Sequence, residues 1–116
     1  MVDKVTKANL DAFLSRKPYS VIHFDAEWDG YRHTVSKNMG VLQPLMDDQV
    51  SFGYVDIDEN QDLAMEIRLL NVPCVAYYHG KNLYAIVVGI KQDLADNVAK
   101  MKQGEPLDTS NSTSRG

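Results

Sequence analysis

Cysteine is nearly absent from this chain of 116 residues: only Cys74 carries a thiol, so no disulfide closes within it. One unpaired cysteine fits a reducing compartment, and the expected location is cytoplasmic. No apolar run approaches the roughly 18 residues that a membrane-spanning helix needs. Met1-Val2-Asp3-Lys4 lacks the apolar stretch of a signal peptide, and none is expected. Basic residues are also few, with 12 Lys and Arg against 16 Asp and Glu and a net charge of -4. That balance disfavours a nucleic-acid partner. There is no phosphate-cradling glycine loop and no Ser-His-Asp arrangement. What is present is an ordinary globular mixture, 44% hydrophobic and 24% charged, of a length that suits one compact domain.

Periodicity then divides the chain. Residues 2–5 allow a brief edge strand at most. Leu10, Phe13 and Leu14 give residues 6–17 a helical stripe, with Thr6 or Asn9 as its cap and Pro18 as its stop. Residues 19–24 are β-branched and aromatic enough for a central strand. A helix over 30–47 follows, carrying Val35, Met39, Leu42, Leu45 and Met46 inward and kinking near Pro44. Residues 50–56 form the next strand. Residues 62–70 form a short helix with Leu63, Met65, Ile67 and Leu70 inward. A hairpin of strands 74–78 and 83–88 comes next, and then a helix over 92–102 with Leu94, Val98 and Met101 on one side. The domain is expected to span 1–104. Residues 105–116, rich in Ser and Thr, are expected to be a disordered tail.

This order implies an α/β three-layer sandwich on a mixed sheet of four to five strands. A right-handed βαβ unit is followed by an antiparallel hairpin. In open α/β sheets sites gather where a strand delivers its C-terminal end to a helix start. Here that junction is Phe24-Asp25-Ala26-Glu27-Trp28-Asp29-Gly30-Tyr31-Arg32.

Together with Val55-Asp56-Ile57-Asp58, Val72-Pro73 and the hairpin ending at Gly89, this stretch resembles thioredoxin over residues 5–103. The resemblance implies the thioredoxin fold, a cis peptide bond before Pro73, and a groove where an extended peptide pairs beside Val72. The pairs Trp28-Asp29 and Pro73-Cys74 also resemble a spliceosomal group of the same fold, although the downstream helix pattern does not follow it.

The departures carry the functional reading. The family's Trp-Cys-Gly-Pro-Cys is Trp28-Asp29-Gly30-Tyr31-Arg32 here. Disulfide exchange needs an attacking thiolate and a resolving thiol, and neither Asp29 nor Arg32 is one. The family's buried proton-relaying acid falls at His23. The expected function is therefore a non-redox domain, adaptor or chaperone-like. It would bind a protein segment through Trp28, Asp29, Gly30, Tyr31, Arg32, Val72 and Pro73, with Gly89 and Ile90 at the rim. It would need no cofactor, metal, membrane or nucleic acid, and would be a monomer or weak homodimer. The alternative is a single-thiol redox or sensor protein acting through Cys74.

Each of these residues also has a plainer structural use. Asp29 is an N-cap in form, and Arg32 is placed to pair with it. Trp28 and Tyr31 suit either packing or partner anchoring. Cys74 and His23 on apolar strands suit the core. The alternating acids Asp25, Glu27 and Asp29, with His33, read as a solvated face rather than a metal site. Asp56-x-Asp58-x-Asn60 imitates a calcium loop but has Gln61 where glycine is required, and Ile67 at the twelfth position.

Overall fold

A computed structural model describes residues 3–25, 48–66, 74–88 and 93–107. It contains strands β1 (Asp3–Lys4), β2 (Tyr19–Asp25), β3 (Val50–Asp56), β4 (Cys74–His79) and β5 (Asn82–Val88). Its helices are α1 (Leu10–Ser15), α2 (Gln61–Glu66) and α3 (Leu94–Lys102). The five strands form one sheet in the order β1-β3-β2-β4-β5. β1 and β2 run parallel to β3, and the β2–β4 and β4–β5 pairs are antiparallel. The expected mixed sheet is thus present. The helix expected over 30–47, and with it the hand of the crossover, lies outside the described residues.

Strand alternation sends side chains to two separate cores. Val21, Phe52, Val75, Tyr77 and Val87 lie on one face, under Leu94, Val98 and Met101 of α3. Ile22, Phe24, Val55, Cys74, Ala76 and Tyr78 lie on the other, with Phe13 and Leu14 of α1 and Leu63 of α2. Fully burying such aliphatic and aromatic side chains contributes roughly 1.5–3 kcal/mol each.

Helix ends and turns follow local chemistry. Asp93 caps α3 by accepting from the Asp96 amide at 3.0 Å. Asn9 precedes α1 but makes no forward cap bond; its Oδ1 accepts from the Thr6 amide at 2.8 Å instead. The 79–82 turn holds Gly80 at φ +61°, the sign that both primed hairpin turns require at their first loop position. Its amide donates to the Pro18 carbonyl at 2.7 Å, which fastens the hairpin to the start of β2.

Two expectations change. Met65 is 76% exposed rather than inward, because residues two apart on a helix point in different directions and Leu63 already takes the core side. Residues 105–107, read from composition as the start of a tail, pack on the domain. Gly104 adopts φ +75°, the Glu105 amide donates to the Lys100 carbonyl at 2.9 Å, and the Gly104 amide donates to the Met101 carbonyl at 3.0 Å. This paired closure reverses the chain at the end of α3. Tyr84 Oη then donates to the Glu105 carbonyl at 2.6 Å, and Leu107 is buried under α3. Residues 108–116 lie outside the described residues.

Gly53 of β3 is in register with Asp3 of β1 and has no room for a side chain. A Cβ there would sit 2.7 Å from Val5 Cγ2, 2.9 Å from Phe13 Cζ and 3.0 Å from the Asp3 carbonyl oxygen. Gly53→Ala is expected to destabilise the fold by about 1–3 kcal/mol through overpacking. Gly80→Ala, with open space around it, is expected to cost about 1–2 kcal/mol from backbone strain alone. Urea unfolding read by far-UV circular dichroism measures both. A neutral Gly53→Ala would mean that β1 moves aside freely.

Candidate functional site

Strand pairing brings three chain ends together at one end of the sheet. β2 and β3 finish side by side, with Asp25 in register with Asp56. β4 begins there, with Cys74 opposite Phe24 on one side and Val88 on the other. The expected groove residues Trp28, Asp29, Gly30, Tyr31, Arg32, Val72, Pro73, Gly89 and Ile90 lie outside the described residues, as does the peptide bond before Pro73. Their tethers, however, are described. Pro73 is one bond from Cys74, Gly89 one bond from Val88, and Trp28 three residues from Asp25. At no more than about 3.6 Å of reach per residue, Trp28 lies within roughly 11 Å of Asp25. Antiparallel neighbours are about 4.5–5.5 Å apart, so the three segments leave from adjoining points.

Two residues singled out in the sequence are placed directly. Cys74 is 0% exposed and belongs to the core on the α1 and α2 face, beside Phe24 and Leu63. It behaves there as a small hydrophobe. His23 is also 0% exposed. It pairs with Val75 across the antiparallel ladder and with Tyr54 across the parallel one. Alternation along β2 sets it on the face of Val21, opposite that of Phe24 and Cys74.

The acidic turn after β3 has a structural task. Asp56 Oδ1 accepts from the Asp58 amide at 2.9 Å, the Asn60 side-chain amide donates to the Asp56 carbonyl at 2.9 Å, and the Glu59 amide donates to the same carbonyl at 3.1 Å. Asp56 and Asn60 are buried in forming this turn. Glu59 reaches Lys4 Nζ at 2.7 Å and raises the ammonium's pKa through that hydrogen bond and its charge. The lysine is exposed, so the pair tethers β1 only weakly.

A buried pair in the opposite core was not legible from sequence. Asn97 Nδ2 donates to Tyr77 Oη at 2.9 Å between α3 and β4. Burial pushes the Tyr77 hydroxyl above its ordinary range despite the amide donor, which favours the ionised form. The signal available was a tyrosine at an inward position of β4, since a buried Tyr hydroxyl usually finds a partner.

Comparison with known proteins agrees with this architecture. The family model described as Thioredoxin matches residues 1–100. Thioredoxin-T of Drosophila melanogaster is 29% identical over 73 residues, which is 63% of this chain and 46%, under half, of that relative's length. A mutant thioredoxin from Halobacterium salinarum NRC-1 superposes with a TM-score of 0.75 at 23% identity, covering 90% of each chain. Oxidised thioredoxin from Plasmodium falciparum gives 0.72 at 16% identity, covering 88% of this chain and 98% of its own. Sheet order, the strand ends meeting at Cys74, and a family match over most of the sequence converge: this chain belongs to the thioredoxin family.

Proposed function

We propose that this chain is a non-redox member of the family that binds an extended protein segment at the sheet end where 28–32, 72–73 and 89–90 are tethered. The observation that carries the reading is the position of sulfur. Positions 29 and 32 hold Asp and Arg, and the one cysteine is buried in the core. A thiol exchanges disulfides only as an accessible thiolate. A peptide-binding edge needs no thiol, because main-chain hydrogen bonds supply the affinity and flanking pockets the selectivity. Trp28 and Tyr31 are the residue types that anchor such contacts, and Asp29 with Arg32 gives the rim charges that sort partners. The role is that of an adaptor or chaperone-like module in the cytoplasm. Burial of Cys74 weighs against the alternative in which that thiol acts as a one-cysteine redox centre or sensor.

Three measurements test this reading. In an insulin disulfide-reduction assay the wild-type chain is expected to turn over at the buffer rate, and turnover well above it would refute the proposal. The double variant Asp29→Cys, Arg32→Cys is expected to gain activity by roughly tenfold or more, since it restores both thiols on a retained scaffold. Titration of Cys74 with an aromatic disulfide near neutral pH is expected to run roughly a hundredfold slower in the native chain than in denaturant, because modification must wait for local opening. Fast native labelling would revive the single-thiol reading. In pulldowns, the double variant Tyr31→Ala, Val72→Asp is expected to lose partners that the wild type retains, by about 2 kcal/mol or more for a lost aromatic anchor.

A further inference from the structure

Three sulfur-bearing side chains fall among the described residues, and the fold treats them unequally. Cys74 is buried in the core on the α1 and α2 face, and Met101 is buried in the core on the α3 face. Met65, on α2, is 76% exposed, the most open of the large apolar side chains among the described residues. Helix geometry accounts for the contrast. Leu63 is fully buried and seats α2 on the sheet. Two residues further along, a side chain points roughly 200° round the helix. Asp62 precedes Met65 by three residues, on the same side of α2, and is exposed as well. The core clusters on the two faces of the sheet include Met101 and Cys74 but not Met65. Reactivity follows from this placement. A thiol must ionise and be reached before it reacts, whereas a thioether reacts through its sulfur lone pair and needs only to be reached.

We propose that Met65 is a reversible oxidation site, with hydrogen peroxide as the oxidant and a dithiol-driven methionine sulfoxide reductase as the restoring enzyme. In the forward step the sulfur lone pair attacks one peroxide oxygen. The O–O bond breaks, an S–O bond forms, and the second oxygen leaves as water with both peroxide protons. The thioether loses two electrons and the peroxide gains them. In the return step two thiols of the reducing system become a disulfide, and the sulfoxide oxygen leaves as water. The mark changes an apolar side chain into a polar, chiral one at the surface of α2, the helix from which the chain runs on to Val72 and Pro73. It leaves both cores as they are, because Met65 packs in neither. The inference is independent of the peptide-binding reading and assigns Cys74 no part in the step.

The native chain treated with hydrogen peroxide, digested and read by fragment spectra that locate each added oxygen tests the proposal. Each methionine is scored separately, since Met1, Met39 and Met46 lie outside the described residues. Met65 is expected to oxidise at least about tenfold faster than Met101, which waits for local opening, and within about threefold of a free methionine derivative. In denaturant the rates at Met65 and Met101 are expected to converge. At the dose that converts half of Met65, Cys74 is expected to titrate as a full thiol. Methionine sulfoxide reductases with dithiothreitol are expected to remove the oxygen from Met65 in the native chain. Met65→Gln, a polar side chain of similar length, is expected to shift the thermal midpoint by less than about 4 °C, as for a surface position. Oxidation of Met65 no faster than of Met101 overturns the proposal, as does a rate difference that persists in denaturant. Loss of the Cys74 thiol before Met65 reacts, a sulfoxide that the reductases leave in place, or a larger fall in the midpoint for Met65→Gln also overturns it.

Discussion

β2 hydrogen-bonds to β3 along one side over seven residues and to β4 along the other over six. Its residues from Ser20 to Phe24 are fully buried. That double pairing fixes register from both sides, and a slip of one residue would turn its whole apolar set to the wrong core. Because β2 cannot slide, Asp25 must end beside Asp56 and Phe24 must sit opposite Cys74. The chain segments carrying 28–32 and 72–73 are consequently launched from adjoining points. The candidate site is a consequence of sheet register before it is a matter of any side chain at the site itself.

The surrounding structure serves this central strand. The Tyr19 amide donates to the Gln49 carbonyl at 3.0 Å, and the Gly80 amide to the Pro18 carbonyl, so both neighbours are also fastened at the far end of β2. Gly53 lets β1 lie close enough for Val5 to fill the core above Phe13. On the other face, α3 is capped by Asp93 and closed by Gly104, and the reversal that follows returns Leu107 to the core. Each glycine acts where a Cβ would either clash or strain the backbone.

The sequence made the sheet legible because the strands carry the strongest local signals. The pattern predicts 50–56 with the bounds that β3 has, and predicts 19–24 one residue short of β2, since Asp25 looks like a turn residue until Asp56 is seen beside it. A run of apolar residues predicts burial for Met65, where helical geometry allows only part of the run to face inward. Nothing in a Ser- and Thr-rich segment announces that a backbone reversal brings Leu107 back to the core. The family was legible from four short landmarks. The expected groove residues are legible only as residue types, and what the described residues supply is the strand ends from which those segments leave.

Alternation decides how the lone thiol relates to the buried imidazole. The resemblance places the family's proton-relaying acid at His23, and the remaining sulfur is at Cys74. Along β2, His23 shares a face with Val21, whereas Phe24 and Cys74 share the opposite one. The sheet itself therefore separates the imidazole from the sulfur. Cys74 lies in the apolar core on the α1 and α2 face, and alternation along β2 turns His23 to the other face. His23 and Cys74 are held on opposite faces by the same strand pairing that brings the ends of β2 and β3 beside the start of β4. Register fixes where the chain leaves β2 and enters β4 whatever residues follow, so the placing of these strand ends does not depend on a thiol.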